Sequence, residues 1–211
     1  MRQLAIYASL ATTLSLVTAV SAPAQTPLRK VQLASADSLA SLSWRSLATD
    51  PKGDGLQARL PDAKELFYAI DSKSDFVWFK VTTWEPLPEE WFGISVAFDS
   101  DEKPDNGMTW WGTNKVKFDR LACAFLFKAD DYWQGYAGVG DSESIGRGNM
   151  TNLTAGVKVA VDREQRSLLI GVPRSALGTA TTVRAIATVG SMLANNDDVP
   201  NEGMITVRLK P

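Results

Sequence analysis

From about residue 42 onward the chain breaks into short apolar runs rich in aromatic and β-branched residues. Each run is closed by a turn signal, and no stretch holds a helical period. Residues Glu65–Asp71 and Phe76–Trp84 are the sharpest instance, two such runs separated by the polar turn Ser72–Asp75. That is hairpin chemistry, because aromatic and β-branched side chains fit a pleated sheet and small polar residues reverse the chain. Further strands are expected over 42–47, 91–98, 116–120, 121–128, 132–139, 157–161, 167–172, 182–189 and 204–209, with one helical turn at 173–177. About ten short antiparallel strands and no long helix predict an all-β chain folded as a β-sandwich. Nearly continuous apolar runs such as Phe76–Val81 should be inner strands, whereas the alternating Lys158–Val161 should keep one face wet.

The amino terminus follows a different rule. Met1-Arg2-Gln3 precedes an apolar and small-residue run from Leu4 to Val20, and Ala22 and Ala24 stand at the −3 and −1 positions of a cleavage site. This order predicts a secretory signal peptide over 1–24 and a periplasmic or secreted protein. Thr12, Thr13, Ser15 and Thr18 dilute the run below what a membrane span requires. Residues 25–43, rich in Ser, Ala and Leu, read as a linker or arm, and 44–211 as the sandwich domain. After cleavage about 185 residues remain, enough for one well-formed core.

Composition closes off several functions. The chain has 22 Lys and Arg against 24 Asp and Glu, with no basic stripe, so nucleic acid is not an expected partner. Its single cysteine, Cys123, lies in the apolar run 121–127, where it reads as a small buried hydrophobe without a disulfide partner. Histidine is absent, which removes Ser-His and Cys-His nucleophiles and histidine-ligated zinc.

Oxygen ligands concentrate in three loops. In Asp50-Pro-Lys-Gly-Asp-Gly55 two carboxylates four residues apart sit on a turn, an arrangement that suits calcium and equally a plain turn. In 99–107, Asp99, Asp101, Asp105 and Asn106 follow a strand end without the spacing of an EF-hand, and the run also reads as a solvated acidic loop. The stretch Asn195–Gly203 is oxygen-rich too, and alone it decides nothing between metal, hydroxyls and a turn. The metal candidates are therefore Asp50, Asp54, Asp99, Asp101 and Asp105, with calcium as the expected cofactor. An aromatic group, Trp110 and Trp111 with Trp133 and Tyr136 on a nearby strand, has the flat rings that stack on a sugar. If Trp110 and Trp111 lie on a strand they face opposite ways, one into the core and one outward. Asn114, Asp119 and Arg120, with Lys117, are close enough in sequence to meet hydroxyls. The alternative is that both tryptophans are core residues. Asn149-Met-Thr151 and Asn152-Leu-Thr154 match the glycosylation acceptor pattern.

These pieces in this order carry a resemblance. Asp50-Pro-Lys-Gly-Asp54, the hairpin from Leu66 to Phe79, and a strand ending in Phe98-Asp-Ser-Asp101 resemble the DOMON-like superfamily of β-sandwiches over residues 44–209. That superfamily includes family 9 carbohydrate-binding modules and the carboxyl-terminal domain of glucodextranases. The resemblance implies a twisted antiparallel sandwich, calcium in the early acidic loop, and a sugar or haem on one face. The leading expectation is thus a non-catalytic exported module that binds a carbohydrate and is stabilised by calcium. Haem b is the second, since in some relatives Met and Lys serve as axial ligands and the chain offers Met108, Met150, Met192 and Met204. A two-carboxylate glycosidase and a purely structural exported domain are the others.

Overall fold

The computed structural model describes residues 28–112, 114–146, 156–191 and 194–210, without the side chains of 146, 191, 194 and 195. The expected signal peptide, both Asn-x-Thr sequences, Met150 and Met192 lie outside the described residues. No helix among the described residues is long and apolar enough to cross a membrane.

Two antiparallel sheets stack as a sandwich. The first has the order β1 (Arg29–Val31), β9 (Tyr132–Asp141), β8 (Arg120–Ala129), β5 (Trp91–Asp99), β12 (Thr182–Ser191) and β13 (Ala194–Val199), with β14 (Ile205–Arg208) also on β12. The second runs β10 (Lys158–Asp162), β11 (Ser167–Pro173), β4 (Phe76–Thr83), β3 (Ala63–Ile70) and β2 (Arg45–Thr49). A ribbon of β6 (Met108–Thr109) and β7 (Lys117–Phe118), and the short helix α1 (Ser142–Gly146), complete the fold.

The two-residue period of each strand decides what enters the core. Val77, Phe79 and Val81 of β4, with Leu168, Ile170 and Val172 of β11, face Phe92, Ile94, Val96 and Phe98 of β5. Phe79 meets Phe98 edge-on at 5.4 Å between ring centroids. Each such ring, fully buried, contributes about 1.5–3 kcal/mol. The hairpin turn at 72–75 forms as its composition predicts, and β4 and β5 are central strands of their sheets.

Both sheets are also covered on their outer faces, which explains why β5 is buried along nearly its whole length. Over the first sheet, Trp110 and Phe118 of the β6–β7 flap pack on Ala97, Leu121, Cys123 and Ile186. Over the second, Leu39 and its neighbours pack on Trp78, Ala160 and Leu169, and the Trp44 indole donates to the Leu39 carbonyl at 3.2 Å.

The structure departs from the sequence reading in three places. The expected arm is not a free linker: β1 pairs with β9, Val31 opposite Trp133, and residues 37–39 form a 3-10 turn that buries Leu39. The expected strand over 116–120 is divided, since Lys117 and Phe118 belong to the flap and Arg120 opens β8. The oxygen-rich stretch from 195 is half strand: β13 pairs along β12 with a bulge at Val189/Gly190.

Candidate functional site

β13 is an edge strand, and its pairing with β12 fixes which way its acids face. Asp197 lies opposite Val189, which points into the sandwich, so Asp197 points inward too. Asp198 lies opposite Thr188 on the outer face, toward the flap. Across the gap, β2 ends and β3 begins on the edge of the second sheet, joined by the loop 50–62. The loop is closed at its base by the Asp50 amide donating to the Lys64 carbonyl at 2.8 Å. It turns at Gly53, whose φ of +89° suits glycine, and the Gly53 amide donates to Asp62 Oδ2 at 2.8 Å.

Asn196 stitches that loop to β13. Its carbonyl accepts from the Leu56 amide (2.9 Å), its Oδ1 from the Gln57 amide (2.6 Å), and its Nδ2 donates to the Pro61 carbonyl (2.9 Å). The Ala63 amide donates to Asp197 Oδ2 at 2.7 Å, a bond between the two sheets. Asn201 donates to Asp54 Oδ2 at 2.7 Å.

As a result Asp50, Asp54, Asp62 and Asp197 converge, each offering an oxygen within 4.8 Å of the others. Asp54 is exposed and the other three are buried. Asp50 is only 4 % exposed, and its oxygens accept from no amide, hydroxyl or cationic group, their polar neighbours being the carboxyls of Asp197 and Asp54; Oδ1 of Asp62 likewise has no donor. A buried carboxylate without a donor costs several kcal/mol if charged. Burial, then the Asp54 and Asp62 charges, push the Asp50 carboxyl up to about 7. Burial is also the main cause that lifts Asp197 to about 8; the Ala63 amide acts against it and the Asp50 charge adds to it.

The donor set fits a hard cation. All four ligands are carboxylate oxygens, the chemistry of calcium or magnesium and not of zinc or copper. Calcium–oxygen distances are about 2.3–2.6 Å, so oxygens on opposite sides of one ion stand about 4.8 Å apart. The spread of the four side chains is within that limit. Four convergent carboxylates suit calcium, which takes six to eight oxygens in flexible geometry, better than magnesium, which keeps several of its waters.

Of the expected metal residues, the structure gathers Asp50 and Asp54 and leaves the other three elsewhere. Asp99 is buried in an ion pair with Arg184. Asp101 accepts from the Asn106 amide at 2.7 Å and pairs with Lys103 at 3.5 Å, which holds its carboxyl below the usual range. Asp105 is exposed in the same loop, its carbonyl accepting from Lys117 Nζ at 2.7 Å. That loop is therefore closed by its own partners. Sequence reasoning missed Asp62, a lone acid between Pro61 and an apolar strand. It flagged the stretch containing Asp197 without linking it to Asp50.

The aromatic residues also divide. Trp110 and Trp111 lie beyond the end of β6, so strand alternation does not apply to them: the two indoles stack, 4.9 Å apart at 23°. Trp110 is buried and Trp111 is 41 % exposed. Trp110 Nε1 donates to Asp198 Oδ2 at 3.0 Å. The buried Asn114 is engaged internally, donating to the Pro200 and Gly203 carbonyls at 3.3 and 2.9 Å. Asp119 accepts from the Ser100 amide (2.8 Å) and hydroxyl (2.7 Å), and Arg120 is half-buried opposite Asp141. Trp133 stands well away along the β8–β9 ladder, opposite Lys128, its ring 5.0 Å from Phe92. Trp111 alone of the expected ligand residues thus combines a flat exposed ring with a rigid backing. Met108 and Met204 pack against the apolar cluster under the flap.

No protein-family model and no curated protein sequence matches the chain.

Proposed function

We propose that the chain is an exported, non-catalytic β-sandwich module whose open edge is held by a calcium ion. In this reading it offers the exposed Trp111 face to a carbohydrate or a similar ring-bearing ligand. The observation that carries the metal part is Asp50: a carboxylate withdrawn from water, without a donor, among three other carboxylates. Such a group makes sense as a cation ligand, because the ion supplies the charge balance that the fold does not. Asp50, Asp54, Asp62 and Asp197 would hold the ion, which supplies charge neutralisation and a tie between the sheets.

The convergence of the acids supports a binding role over a hydrolytic one. A glycosidase needs two carboxyls on either side of a substrate, whereas these four converge on one point and three of them are buried. Trp111, stacked on the buried Trp110, is a preorganised platform of the kind that favours the C–H face of a sugar. Membership of the DOMON-like superfamily is part of the same proposal: a two-sheet sandwich with acids in an early D-P-x-G-D loop is what that likeness leads one to expect.

Two titrations test it. Calcium added to chelator-treated protein should raise the melting midpoint, by about 2.7 kcal/mol of stabilisation at a hundredfold excess over Kd. A panel of soluble oligosaccharides should then include at least one that gives binding heat, lost in Trp111→Ala. A midpoint indifferent to calcium removes the metal; silence across the panel removes the sugar.

A further inference from the structure

Asp197 and Asp198 are neighbours on one edge strand, and they serve the two candidate sites from opposite faces. Asp197 reaches inward to the carboxylate cluster and accepts the Ala63 amide at 2.7 Å. Asp198, 1 % exposed, reaches outward and accepts from Trp110 Nε1 at 3.0 Å and from the Asn114 amide at 3.2 Å. The flap is pressed closely onto it. A Cβ on Gly112 would collide with both Asp198 oxygens and with Trp110 Nε1. Asn114 adds bonds to the residues just after β13, accepting from the Gly203 amide at 3.2 Å and donating to the Gly203 carbonyl at 2.9 Å. Trp111 then rests on Trp110 at 4.9 Å and stands edge-on to Phe118 at 5.4 Å.

The geometry points to a cation-dependent aromatic platform: binding of calcium at the Asp50 cluster sets the position of β13, and through Asp198 the stacking of Trp111 on Trp110. This rests on the calcium reading above. Its physical basis is the alternation of a strand, in which a shift that draws residue 197 inward moves the carboxylate of residue 198 with it. Without the ion, β13 is held to the 50–62 loop and β3 by the Asn196 and Asp197 hydrogen bonds alone. With it, β13 is drawn onto that loop and the outward carboxylate is fixed beneath the flap. Ligand affinity at Trp111 then depends on calcium although Trp111 is no ligand of the ion. By linkage, a sugar bound at Trp111 tightens calcium binding by the same factor.

A stacked indole pair gives an exciton couplet in circular dichroism, which reads the Trp110–Trp111 geometry directly. Chelator-treated protein is titrated with calcium chloride while heat and couplet are recorded on wild type, Trp111→Phe and Asp198→Asn. In wild type the couplet should strengthen with the same midpoint as the binding heat. Trp111→Phe, which keeps all four acids, should still bind calcium with measurable heat and lose the couplet response. Asp198→Asn should keep the binding heat and lose at least half of that response. Binding heat with an unchanged couplet in wild type overturns the coupling and leaves the metal site standing, as does an undiminished response in Trp111→Phe or Asp198→Asn. Absence of binding heat overturns the metal site itself, and the coupling with it. If Asp198→Asn does not fold, the comparison of wild type with Trp111→Phe decides alone.

Discussion

The Ala63 amide donates to the Asp197 carboxylate at 2.7 Å, and this bond joins the first residue of β3 in one sheet to the edge strand of the other. It places an acid of the first sheet among three acids of the second.

Asp50 is more costly than useful to the metal-free fold. Asp50→Asn keeps the shape and removes one charge from the cluster, so in chelator it should melt at or above the wild-type temperature, by the order of 1 kcal/mol. With calcium present the order should reverse, since the variant loses an anionic ligand. Melting both proteins with and without calcium checks this; a variant less stable in chelator would contradict it.

The pH dependence of the metal-free protein follows from the same acids. Burial raises Asp50 to about 7 and Asp197 to about 8, both above their ordinary value of 3.8. The folded state therefore binds protons more tightly than the unfolded one. Their contribution to stability is complete below about pH 4 and is lost as pH rises through 7 to 8. Urea midpoints in chelator should fall between pH 5 and pH 8. Saturating calcium should flatten or reverse the slope, because its ligands must be deprotonated.

Asp99 and Arg184 form an ion pair in which Asp99 is buried, apart from the four-acid cluster. Arg184→Ala leaves that carboxylate with the Lys103 amide as its remaining donor and should cost about 1–3 kcal/mol. By contrast Asp99→Asn should leave calcium affinity within about twofold of wild type. A calcium affinity that falls tenfold in Asp99→Asn would move the site to the 99–107 loop.

Cys123 is fully buried among Ala97, Leu121 and Ile186, and burial pushes its thiol up to about 12. A thiol reagent at pH 8 should leave it unmodified in the native protein and label it once denatured. Rapid labelling of the folded chain would show that the outer face of the first sheet opens readily.

The sheets were legible because their signal is local. Phe76–Thr83 and Trp91–Asp99 are long enough, and apolar enough, to declare themselves central strands. The strand Ala194–Val199 was hidden because Asn and Asp are depleted in strands, and here Asn196, Asp197 and Asp198 are tolerated on an edge where each of the three has a specific partner. Half of the acid cluster was readable in Asp50-Pro-Lys-Gly-Asp54, where ligand spacing is set by one turn. Asp62, at the far end of the same loop, carries no motif of its own, and Asp197 could not be joined to either because it meets them only where two sheet edges come together across 134 or more residues of chain. The aromatic pair divides as expected, Trp110 buried and Trp111 exposed, but not by strand alternation, since a two-residue strand ends just before Trp110 and the two rings stack.

Asp50, Asp54, Asp62 and Asp197 are proposed as one cation site. Isothermal titration of chelator-treated protein with calcium, on wild type and on Asp197→Asn, tests it most directly. The account predicts a single saturable site per chain in wild type and an affinity at least about tenfold weaker in Asp197→Asn, the loss of one charged ligand. No saturable heat in wild type, or equal affinity in the two proteins, would contradict it.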